Sequence, residues 1–144
     1  MSYSGLLSTV NLYRTQKTDL TGELSDILMS LTRASRKGTE LMYEETQQKA
    51  QIKEDYKTEI GELETPEAYA IRRDEAEEDC KYELDQVEAE FELQLEKINC
   101  WEQELEFQKQ TKETQVQMTG SYLESFTEVL KNNIKKDFTY GQGK

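Results

Sequence analysis

The stretch GELETPEAYA, Gly61–Ala70, holds the only proline of the chain, Pro66. Thr65 suits an N-cap, Pro66 a first helical position, and Glu67 places negative charge on the helix N-terminus. Proline also biases the residue before it away from helical geometry, so the preceding helix is expected to end near Gly61–Glu64. Within one continuous helix it would give only a kink. The stretch therefore reads as the tip of a hairpin.

Working outward from that tip, both flanks carry apolar residues at helical spacing. Downstream, Leu84, Val87, Phe91, Ile98, Trp101 and Leu105 make a heptad stripe with Gln94 as its polar interruption. The stripe fades through QKQTKETQ and resumes at Tyr122, Leu123, Phe126, Val129, Leu130 and Ile134. Upstream, Leu20, Leu24, Ile27, Leu28 and Leu31 make another, followed by Leu41, Met42, Ile52, Tyr56, Ile60 and Leu63. No alternating strand pattern competes. The fold expected is all-α, a long antiparallel helical hairpin in one elongated domain, 1–138. Its arms are about 5–62 and 66–138, its turn 61–66, and 139–144 a disordered tail.

If the chain reverses near residue 64, facing residues have numbers adding to about 129. Met42 then meets Val87, Leu31 meets Ile98, Leu28 meets Trp101, Leu24 meets Leu105, and Gly38 falls opposite Phe91. The seam core expected is Leu24, Leu28, Leu31, Val87, Phe91, Ile98, Trp101 and Leu105. Two signals could break the arms into three or four helices. In TRASRKGTE, Gly38 followed by Thr39 reads as a stop and a new cap. After Gly120, Ser121 and Glu124 have the spacing of a capping box.

Composition excludes several classes of function. The 144 residues are 33% charged with a net charge of −12, usage typical of long helices and coiled coils. Most of the acidity lies in residues 63–107, which hold 4 basic and 16 acidic side chains, a net of −12. No basic stripe exists to neutralise phosphates, so nucleic acid is not an expected partner. There is no apolar run long enough to span a membrane. MSYSGLLSTVNLYRTQKTD lacks a basic segment followed by an apolar one, so no cleavable signal peptide is expected. The location expected is cytoplasmic, or exported without such a peptide.

With no histidine, serine–histidine and cysteine–histidine catalysis is impossible, as is a His-containing metal site. Cys80 and Cys100 lie too far apart on one helix for a disulfide or a shared metal. The acidic run Asp74–Asp79 lacks the glycine-centred spacing of a calcium loop. No glycine-rich phosphate loop precedes a helix. No enzyme activity, cofactor or metal is expected.

Apolar residues near the two termini gather at one end of such a hairpin. Leu6, Leu7, Val10 and Tyr13 join Tyr122, Leu123, Phe126, Leu130, Ile134 and Phe138 there, as candidates for self-association or for docking a partner. The ending SFTEVLKNNIKKDF, Ser125–Phe138, resembles the C-termini of a loose group of uncharacterised bacterial helical proteins, through Lys131, Asn133, Ile134 and Phe138. In length and hairpin layout the chain resembles the coiled-coil stalk and filament proteins of flagellar and type III export systems. That resemblance implies docking to an export ATPase or polymerisation through terminal helices; stalk proteins of that kind are commonly basic, whereas the middle here is acidic. The function expected is that of a structural coiled-coil protein whose partner is itself. The alternative is an adaptor or chaperone of an export or secretion apparatus that holds another protein's helix.

Overall fold

The computed structural model describes residues 2–61 and 66–142, and the side chains of these except 68 and 138–142. It is an all-α helical hairpin of two long helices packed against each other, α1 (Tyr3–Gly61) and α2 (Pro66–Gln142), with no strand among the described residues. The turn and its cap Thr65 lie outside the described residues. Residues 139–142, assigned to the tail, carry helical backbone.

α1 starts two residues earlier than its apolar stripe suggests, because Ser2 caps it. The Ser2 hydroxyl accepts from the Gly5 N–H at 3.2 Å, and its carbonyl accepts from the Leu6 N–H at 2.9 Å. One of the donors that every helix start leaves unpaired, the Gly5 N–H, is thereby satisfied, and the Leu6 bond is the first regular one of the helix.

Neither glycine break occurs: α1 runs through Gly38 and α2 through Gly120. No described glycine has positive φ, the geometry a glycine stop would use. Thr39, expected to open a new helix, instead donates back to the Ser35 carbonyl at 3.2 Å. Thr21 and Thr127 do the same toward Lys17 and Leu123, at 2.7 and 2.6 Å. Such back-bonding lets threonine remain inside a helix that would otherwise lose it to a cap.

The hairpin divides into two compact units, residues 1–31 with 104–144 and residues 32–103. In the first, the shielded positions of α1 at seam spacing are Leu6, Val10, Tyr13, Leu20, Leu24, Ile27 and Leu31. Those of α2 are Leu105, Lys109, Lys112, Val116, Thr119, Leu123, Phe126, Leu130 and Asn133. These α2 positions step by four and three, the heptad spacing that underwinds a helix to about 3.5 residues per turn and coils a pair left-handedly. The seam therefore crosses the polar stretch QKQTKETQ without interruption.

The second unit changes period. From Leu41 the shielded positions of α1 are Glu45, Lys49, Ile52, Tyr56 and Ile60; those of α2 are Ala76, Cys80, Leu84, Val87, Phe91, Leu95 and Ile98. Steps of four, four and three make an eleven-residue repeat of about 3.67 residues per turn, which removes the left-handed coiling.

Candidate functional site

Three features of the first unit set its chemistry. Leu6, Val10 and Leu130 are buried in one cluster, 2%, 1% and 9% exposed, with Leu123 and Phe126 packed against it. Tyr13 stacks between Tyr122 and Phe126, with ring centroids 5.6 and 5.5 Å apart. Beside these rings lies an open groove of about 430 Å³, bordered by Tyr13, Gln16, Asp19 and Leu20 of α1 and by Gln115, Met118, Thr119 and Tyr122 of α2.

The candidate association residues thus separate into two groups. Leu6, Val10 and Leu130 are used inside the hairpin and are corrected from contact residues to core, because their seam positions point them at the opposite helix. Tyr13, Leu123 and Phe126 are half-buried, whereas Leu7, Tyr122 and Ile134 are exposed. The side chain of Phe138 lies outside the described residues. Leu12 and Met118, which the stripe reading did not single out, are 55% and 51% exposed, and Val129 of the stripe is 45% exposed. Their signal was available in the heptad phase, which puts them just outside the seam.

Of the expected seam core, Phe91, Ile98 and Leu105 are buried, and Leu24, Leu31 and Val87 are half-buried. Leu28 and Trp101 are corrected: they are 44% and 39% exposed. The α2 seam passes from Phe91 through Leu95, Ile98 and Glu102 to Leu105, so Gln94 and Trp101 fall on its flank.

The facing register is also corrected. A Cβ built on Gly38 would lie 3.9 Å from Ile98 Cγ2, one heptad beyond Phe91. Lys112 pairs with Glu23 at 2.6 Å, Lys49 meets Glu88 at 3.8 Å, and the Tyr56 hydroxyl donates to Glu83 at 3.1 Å. Facing numbers add to about 135–139 in these pairs rather than 129. A heptad seam presents the same pattern after a slip of seven residues, so apolar matching alone cannot separate the two.

In the second unit an open groove of about 780 Å³ is bordered by Tyr56, Tyr69, Cys80, Leu84 and charges of both signs. Lys49 also contacts Glu45 at 3.0 Å, and Arg73 contacts Glu77 at 3.1 Å. The hydrogen bond to Glu45 raises the Lys49 pKa, and that to Glu77 raises the Arg73 pKa. Removal from water, then the Glu83 acceptor, pushes the Tyr56 phenol up to about 12. With cations and carboxylates interspersed around this groove, no single-sign field is available to select an ionic ligand. Cys80 is half-buried and Cys100 exposed, both as free thiols.

Among the described residues no group of three or more His, Cys, Asp or Glu side chains could hold a metal ion, and no helix is long and apolar enough to cross a membrane. Comparison with protein-family models, curated proteins and solved structures finds no match.

Proposed function

We propose that the protein is a non-enzymatic structural coiled-coil hairpin that assembles with copies of itself through the unit formed by its terminal segments. The observation that carries this reading is the near neutrality of a unit that also exposes apolar side chains; the other unit exposes them too, but beneath a strong negative charge. Tyr3, Leu7, Leu12, Tyr122, Val129 and Ile134 are between 38% and 55% exposed in the first unit. Residues 1–31 and 104–144 hold 8 basic and 9 acidic side chains, a net of −1, against 10 and 21, a net of −11, for residues 32–103. Two copies can bring the first unit together without electrostatic cost, whereas the second repels its own kind and favours solubility.

Mass action gives the test. A protein that associates in its folded state melts at a higher temperature as its concentration rises. Helix melting of the full chain over a hundredfold concentration range is expected to shift upward; a melting temperature independent of concentration would sink the proposal. The groove beside Tyr122 supports the second reading, an export-system adaptor that docks a partner's helix. A chain that stays single at every concentration and captures a helical partner selects that alternative.

A further inference from the structure

We infer that the self-association proposed above uses one lateral face of the terminal unit, a charge-free side that a second copy of this chain covers. The inference rests on the self-association reading and says where the contact lies. The groove fixes the side, because Gln16 of α1 and Gln115, Met118 and Tyr122 of α2 border it together. Steps of three and four residues extend that side along each helix. On α1 it runs back from Gln16 through Leu12 to Gly5, and Asp19 closes the far edge. On α2 it runs from Gln108 to Asn132 by way of Ser125 and Val129.

Between those limits the side carries no charged residue, in a chain that is 33% charged. The opposite flank, which holds Leu7 and Ile134, also carries Arg14, Glu113, Glu124 and Lys131. Depletion of charge with enrichment of tyrosine and methionine is the compositional mark of an interface centre. Tyr122 is 48% exposed and held by its stacking on Tyr13, so ordering it on contact costs little.

Chemistry and size both favour a second copy as the occupant. An uncharged face offers nothing for a charged partner to pair with, but it complements itself. Gln16 and Gln115 each carry an amide donor and acceptor, which suits a two-fold contact in which each surface meets its equal. The face is about 30 Å long on α2, from Thr111 to Asn132, and about 17 Å on α1, from Gly5 to Gln16, with about 10 Å of width from each helix. That gives on the order of 500 Å² before side-chain relief is counted, somewhat below the roughly 800 Å² per partner of a standard interface.

The test is made on the full chain, with dimer dissociation measured by sedimentation equilibrium. Ser125→Glu and Met118→Glu each place a charge on the face at an exposed position, so the hairpin keeps its own core. Both are expected to weaken association by at least about 100-fold, as an unpaired charge in a desolvated contact does, with helicity and melting of the dilute chain unchanged. Ser125→Arg must weaken it too, which separates burial from a field effect on an acidic chain. Leu7→Glu and Ile134→Glu, on the opposite flank, are expected to leave it within about threefold, since an exposed charge outside the contact adds little. Wild-type association that survives the face variants, or that is lost in the flank variants instead, overturns this inference and leaves self-association standing. A wild-type chain that remains single throughout removes both.

Discussion

Replacing Gly38 by alanine tests whether α1 is one helix or two. The residue sits inside α1, with helical rather than positive φ. The added methyl would lie 3.9 Å from Ile98 Cγ2, an ordinary van der Waals distance. Alanine therefore gains its helix preference over glycine, about 1 kcal/mol, and a partly buried methyl adds at most about 0.8 kcal/mol. The net expectation is a stabilisation of about 1–1.5 kcal/mol, or a rise of roughly 3–6 °C in melting temperature for a chain of this size. Gly22→Ala is the control, because its new methyl meets nothing within 4 Å and so gains only the helix preference. Urea unfolding and thermal melts followed by far-UV circular dichroism, at one fixed protein concentration, supply both numbers. A Gly38→Ala chain destabilised by about 1 kcal/mol or more would refute the reasoning, because that cost belongs to a left-handed stop that only glycine fills.

Leu6→Ala removes a 2%-exposed side chain from the terminal cluster and is expected to cost about 2–5 kcal/mol in urea unfolding; a loss below about 1 kcal/mol would mean the cluster is not packed. The Tyr56 phenol, raised from 10.0 to about 12 in the fold, contributes stability that is fully present below pH 10. That contribution is lost as pH rises through about 12, because the unfolded chain releases its proton first. Tyr56→Phe is accordingly expected to remove a late component from the phenolate absorbance titration and to flatten this alkaline loss. An unchanged titration curve would show that Tyr56 does not hold its proton against Glu83.

Much of the fold was legible because its signals are local. Pro66 and its neighbours separate the arms, and apolar spacing marks each arm as helix. The register was not legible, since a seven-residue repeat looks the same after a slip of seven. What distinguishes the observed register is a set of single contacts, the methyl-sized space between Gly38 and Ile98 and the Glu23–Lys112 pair. Seam phase failed at Trp101 for a related reason. Apolar character favours tryptophan over Glu102 beside it, but the eleven-residue period that turns Phe91 inward turns Glu102, eleven residues on, inward as well. Thr39 misled because a cap and an i−4 back-bond use the same hydroxyl.

The terminal site was legible as a cluster but not as a surface. The stripe reading collected the most apolar residues, and three of them, Leu6, Val10 and Leu130, are buried within the hairpin. Leu12, Met118 and Ser125 belong to the face through what surrounds them, a run without charge on two helices. That property emerges only when the groove shows which flank of α1 adjoins which flank of α2.

The central claim is self-association of the intact chain, and light scattering on a sizing column at several loading concentrations tests it most directly. The account predicts a mass that rises with concentration from 16.9 kDa toward a multiple of it. A mass that stays at that of one chain across the whole range would contradict it.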